Sequence, residues 1–311
     1  MNESTANVTE IIMNTINTIF ENLFSSIDNN LYTVLDDIIF IKTDILSDKY
    51  FEKIFGTNTT NGILLIANSL LIGVLIYYGI KLLLANFTYS PTEMPNQFLF
   101  KIIIFGICMN SSYFLIGQFI EIVSNISLSI RDIGEELFGK SVCFSELIKT
   151  INNTATINTS SINIFSIDGM IKGTLTVSLL GLVFSYALRY IMIKVFILLT
   201  PFAFLALSQN STSWFFKSWA RNFFSLLFIQ VIVAIVLLIM FSMDFSGSNI
   251  LSKILYVGGI FALSIVNTFV REFIGGVSTD VQANVGNLLK INKWNERRRI
   301  NEIYFSTKLW F

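Results

Sequence analysis

Residues 62–84 form an almost unbroken apolar run, interrupted only by Asn68, Ser69 and the pair Tyr77 and Tyr78, with Lys81 placed to snorkel from its end. Crossing the hydrocarbon of a bilayer takes a helix about 20 such residues, a length that strands and core helices of water-soluble domains rarely sustain. Further apolar stretches cover about 98–122, 174–200, 223–243 and 250–270. Composition agrees, with 53% hydrophobic and 14% charged residues, where soluble domains carry about a quarter charged. The expected fold is all-α: a polytopic helical membrane protein with about five transmembrane helices.

The number of spans turns on Leu175 to Leu207. This region is nearly continuously apolar yet contains Arg189 and Lys194, and it is longer than one crossing but short of two. Five crossings, with Ile191 to Leu207 lying along the interface or dipping in and out, are favoured; six are the alternative. With five, the two faces differ sharply in charge. One holds the N-terminal segment, a long loop and the turn at Asp244, with sixteen acids against eight bases; the other holds the 81–101 linker, the 189–221 segment and the tail, with five against thirteen. Basic residues gather on the cytoplasmic side of membrane proteins, so the N-terminus is expected outside and the C-terminus inside.

Three regions follow from this pattern. Residues 1–60 are an extracytoplasmic amphipathic helical segment, in which Ile12, Ile16, Ile19, Phe20, Leu23, Phe24 and Ile27 recur at three- and four-residue steps. Leu31, Val34, Leu35, Ile38 and Ile39 continue the stripe, so residues 8–55 read as one or two surface helices whose apolar face lies on protein or on lipid. Residues 61–270 are the transmembrane domain, with an exposed extracytoplasmic loop over 124–168 that is rich in Asn, Ser and Thr. Residues 271–311 are a basic cytoplasmic tail centred on Arg297, Arg298 and Arg299. The first ten residues carry no basic stretch, so no cleavable signal peptide is expected.

Little here points to bond chemistry. The chain has no His, which removes the side chain best suited to proton transfer near neutral pH and the commonest metal ligand. Of the two cysteines, Cys108 lies in an apolar segment and Cys143 in a polar one, an arrangement that opposes a disulfide between them. No enzyme activity, cofactor or metal is expected. In the second span Asn110, Ser111 and Ser112 are polar groups that must find partners on neighbouring helices or line an aqueous path, and Gln230 raises the same choice further along the chain.

The order Arg189-Tyr190, an apolar run into Thr200-Pro201-Phe202-Ala203, a small polar loop, the cluster Trp214 to Trp219 with Lys217, and an apolar span with Gln230 resembles the TrbL-type polytopic membrane subunit of type IV secretion and conjugative transfer systems. An acidic external N-terminus, a long external loop and a basic internal C-terminus fit the same family. The resemblance implies a channel or scaffold subunit in the bacterial cytoplasmic (inner) membrane. It would work with other secretion membrane subunits and ATPases, associate with its own copies and touch transferred DNA transiently. Arg189, Lys194, Pro201, Trp214, Lys217, Trp219 and Arg221 are then candidates for contact with the membrane interface or with partners. A multi-span small-molecule transporter or other membrane channel is the alternative reading.

Overall fold

A computed structural model of the chain describes residues 11, 14–16, 18–19, 34–56, 61–88, 94–154, 167–243 and 250–275. The described elements are all helical: a helical stretch 34–39, a short 3-10 helix Thr43–Ile45, and helices α1 (Lys49–Phe55), α2 (Ile63–Thr88), α3 (Pro95–Asn110), α4 (Ser112–Phe138), α5 (Phe144–Thr154), α6 (Ile167–Ala206), α7 (Ser213–Ser242) and α8 (Ile250–Ile274). Five of them, α2, α4, α6, α7 and α8, are long and apolar enough to cross a membrane. The protein is a multi-pass helical membrane protein.

Three expectations change. Residues 98–122 are not one span: the helix stops at Asn110, and Ser111 breaks it before α4 begins. Pro95 opens α3 at its first turn, where its missing N–H costs nothing. Much of the expected loop 124–168 is helical too, since α4 runs on to Phe138 and α5 follows. The serines that suggested a loop serve packing, because Ser124 and Ser127 are buried with Gly134 on the inner face of α4. A Cβ on Gly134 would meet Leu238 of α7 at 2.7 Å and would clash with Val142. Thirdly, Ile191 to Leu207 neither lies along an interface nor dips, for α6 is a single helix through Pro201 to Ala206.

Close contacts fix the register of the bundle. Trp219 of α7 donates to the Phe196 carbonyl of α6, and Arg189 of α6 to the Leu226 carbonyl of α7, so these helices run antiparallel. Gly259 against Met240 and Gly275 against Arg221 set α8 antiparallel to α7. Phe119 packs edge-on against Phe224 at 5.2 Å while Gly134 meets Leu238, which makes α4 parallel to α7. One end of this bundle therefore carries Lys194, Lys217, Arg221 and Arg271 together with Asp48 and Glu272, and the other carries Asp132, Glu135, Glu136 and the α5 region together with Arg131, Lys140 and Lys149.

From residue 34 onward the N-terminal segment is not a surface helix, whereas the described positions between 11 and 19 are helical and exposed. Leu35, Ile39, Phe40, Ile41, Ile45, Phe51 and Phe55 are buried in the same core as α4, α6, α7 and α8. Asp36 caps α5 across the chain: its carboxylate accepts from Phe144 N at 2.9 Å, Ser145 N at 3.3 Å and Ser145 Oγ at 3.1 Å. Burial raises the pKa of this carboxyl, while those hydrogen bonds and the Arg131 charge pull the other way. The expected reach of the N-terminal stripe back to Ile12, and the tail with Arg297 to Arg299, lie outside the described residues apart from scattered N-terminal positions.

By contrast α2 and α3 form an antiparallel hairpin on the C-terminal end of α6. Tyr78 stacks on Phe98 at 3.5 Å, and Ala67 clusters with Met109 and Leu205. The chain turns into this hairpin at Gly56, whose φ of 92° suits glycine, and a Cβ on Gly62 would stand 2.6 Å from the Gly56 Cα.

Enlarging Gly134 tests the α4–α7 seam. Gly134→Leu should destabilise the protein by about 1–3 kcal/mol through overpacking, read as a lowered thermal midpoint in detergent, whereas Gly173→Leu, where a Cβ meets nothing within 4 Å, should leave it unchanged.

Candidate functional site

At the centre of the bundle two polar side chains hold a main chain. Arg189 is 0% exposed, and its Nε donates to the Leu226 carbonyl at 2.7 Å while Nη1 donates to the Ile39 carbonyl at 2.9 Å. Gln230 is 0% exposed as well, and its Oε1 accepts from Ile41 N at 3.0 Å. Residues 39 and 41 flank Phe40, where the helical stretch ends; the Ile39 carbonyl is one that a helix C-terminus leaves without a partner, and the Ile41 N–H lies just past that end. Irregular backbone at membrane depth is tolerated only where protein satisfies it. Arg189 and Gln230 supply that satisfaction from α6 and α7.

The clasp is rich in donors. Among the described residues Arg189 makes no ion pair, and Arg189 Nη2 and Gln230 Nε2 have no hydrogen-bond partner. A buried guanidinium bound only by carbonyls is costly, and its two hydrogen bonds offset part of that cost by sparing an unbonded carbonyl in the bundle. Beside it Tyr186 donates to the Leu263 carbonyl of α8 at 3.2 Å.

The remaining sequence candidates separate into distinct places. Lys194 pairs with Asp48 at 3.4 Å and lies over the rings of Phe51 and Tyr190 at 5.3 and 5.4 Å. The Tyr50 N–H, and then Lys194, hold the Asp48 carboxyl below its ordinary pKa. Pro201 cannot donate to the Ile197 carbonyl and crowds that turn. One residue before it Thr200 Oγ1 donates to the Phe196 carbonyl at 3.0 Å, where the Trp219 indole also donates at 2.8 Å. Trp219 is thus a core residue, stacked on Phe223 at 5.3 Å, and not an interfacial one. Trp214, Lys217 and Arg221 do share an exposed face of α7.

The polar triplet divides as well. Asn110 and Asn68 exchange amide hydrogen bonds at 3.0 and 3.2 Å, joining α3 to α2. Ser111 is exposed at the helix break, and Ser112 is buried beneath it. Neither set meets Gln230, which belongs to the Arg189 clasp. A groove of 480 Å3 opens between α2 and the corner joining α6 to α7, lined by Gly73, Tyr77, Phe202, Leu205, Ser208 and Trp214 among others. Among the described residues no group of three or more His, Cys, Asp or Glu is placed to hold a metal ion.

Compared with protein-family models, with curated proteins and with solved structures, the chain matches none.

Sequence reasoning identified Arg189 and Gln230 but missed their common target. The signal available was a pair of polar residues in apolar helices together with an N-terminal stripe more suited to protein than to lipid. Replacing Gln230 by Leu leaves the Ile41 N–H buried and unbonded, and replacing Arg189 by Met does the same to the Ile39 carbonyl. Each change should cost about 1–3 kcal/mol. Because both release the same segment, the double variant should lose less than the two losses together, with a coupling of about 0.5–3 kcal/mol in a double-mutant cycle read by denaturation in detergent.

Proposed function

We propose that this protein is a non-enzymatic channel or scaffold subunit of a type IV secretion machine in the bacterial cytoplasmic membrane, passing DNA or protein out of the cell. The observation that carries the reading is the hairpin from Arg189 to Gln230. The stretch that resembles the TrbL-type subunit is also the hub of this fold, supplying both clasp residues, the Thr200-Pro201 turn and the inward Trp219. Its buried polar groups bind main chain, which is structural work. In this reading the exposed Trp214, Lys217 and Arg221 face anchors the basic end at the cytoplasmic surface or meets the machine's ATPases.

The segregation of charge supports the N-out, C-in orientation. Lys194, Lys217, Arg221 and the start of the tail share one end with Asp48 and Glu52, while Cys143 and α5 lie at the other with Asp36, Asp132, Glu135, Glu136, Arg131, Lys140 and Lys149. In this orientation the segment from Asp36 to Asp48 runs from the outer end to the inner one, so residues 48–56 do not lie outside as expected. In intact cells a membrane-impermeant maleimide is therefore expected to label Cys143, and a cysteine placed at Gly275 to be labelled only after the membrane is opened. The reverse pattern removes the orientation.

Function is tested genetically. In-frame deletion of the gene should abolish transfer of the mobile element to recipient cells, and supply of the intact chain in trans should restore it. Unchanged transfer frequency in the deletion strain, with the machine otherwise assembled, refutes the secretion role.

A further inference from the structure

The outer face of α4 is unlike every other exposed face at its depth. Gln118, Glu121, Asn125, Ser129, Asp132 and Glu136 recur at three- and four-residue steps and are all exposed, forming one continuous polar stripe. On the exposed faces of the neighbouring helices stand Phe184, Leu188 and Ile191 of α6, and Phe261, Ile265 and Phe269 of α8.

Depth makes this stripe decisive. Phe119 against Phe224 and Gly134 against Leu238 bracket a parallel stretch of α4 and α7. Glu121, Asn125, Ser129 and Asp132 all fall between these two contacts. Over the same height α7, the most apolar of the spans with a mean hydropathy of 3.0, has only Ser225 and Gln230 as polar residues, and both are buried. Carboxylates facing lipid at such depth are costly, and in membrane proteins they face a bundle interior or water. Among the described residues nothing covers the stripe, so in a single copy it would face hydrocarbon.

We propose that copies of this chain assemble around a shared axis so that the α4 stripes line a water-filled path through the bilayer. The inference rests on the reading of the chain as a channel subunit and names its lining. Two acidic stripes repel in dry contact, so the space between them holds water and cations. An apolar row, Ile122, Ile126, Ile133 and Leu137, runs beside the stripe on the same helix and is exposed. That row supplies the contact between neighbours that leaves the polar row turned to the axis. Identical copies about an axis place the same stripe on every wall, which one copy beside a membrane cannot do. The path would favour cations and basic segments over anions.

The test starts from the full-length chain with Cys108 and Cys143 replaced by Ser, in native membranes. Single cysteines at Glu121, Asn125, Ser129 and Asp132 should react with a water-soluble thiosulfonate, and Ile265→Cys on α8 should not. Ile126→Cys carrying a photoactivatable maleimide should give a covalent dimer of this chain on illumination, since about a rotation axis the row meets a different face of its neighbour. Stripe cysteines as unreactive as Ile265→Cys overturn the proposal, as does photocrosslinking from Ile126→Cys exclusively to a different protein. Failure here is separable from failure of the secretion role: an unreactive stripe in a chain whose deletion still abolishes transfer removes the lining alone, and a reactive, self-crosslinking stripe in a chain dispensable for transfer keeps the path and removes the machine.

Discussion

A carbonyl and an N–H left unbonded inside a membrane bundle have no water to turn to, and this structure is arranged around preventing that for Ile39 and Ile41. Arg189 reaches the first and Gln230 the second, each from a different helix. The two bonds fix the N-terminal segment between α4, α6 and α7, and with it the large side chains Leu35, Ile39, Ile41, Phe51 and Phe55. Once seated, the segment organises both ends of the bundle: Asp36 caps α5 at one, and Asp48 meets Lys194 at the other. The exposed ion pair adds little by itself.

The energetic logic runs against the usual expectation for a charge in a membrane. An Arg at the centre of a spanning helix costs about 2.5–3.5 kcal/mol on insertion scales, and among the described residues no carboxylate compensates Arg189. Its retention makes sense as the donor for irregular backbone that no helix could satisfy internally. Gln230 fits the same logic, since an amide can accept from an N–H where an apolar residue of similar volume cannot.

How much of this was readable beforehand depended on range. Long apolar runs announced α2, α7 and α8 because a span is a local property of some twenty residues. Other features were hidden by composition: Ser124 and Ser127 look like loop residues until their spacing with Gly134 is read as a small-residue face against α7. The clasp was out of reach for a different reason. Its bonds join residues 150 and 189 positions apart, and nothing near Ile39 or Ile41 says that a donor and an acceptor wait in later helices. Trp219 shows the same limit, since a Trp near a basic residue reads as interfacial until its indole is seen bonding Phe196 inside the core.

Stability is accordingly uneven along the chain. The hub is cross-linked by contacts of high sequence separation, and most of the apolar stretch of α7, 61%, is buried within it. Only 11% of the corresponding stretch of α2 is buried, and the hairpin it forms with α3 is held by local pairs, the Asn68–Asn110 amides and the Tyr78–Phe98 stack. Yet α2 and α3 pack more extensively on α6 than on each other, so the hairpin is a second layer seated on the C-terminal part of α6. The chain leaves the hub for it at Gly56 and returns at Ser111, a left-handed glycine and a helix break. Because α6 carries both the Arg189 arm of the clasp and the seat of the hairpin, a change that displaces α2 and α3 has to act through α6.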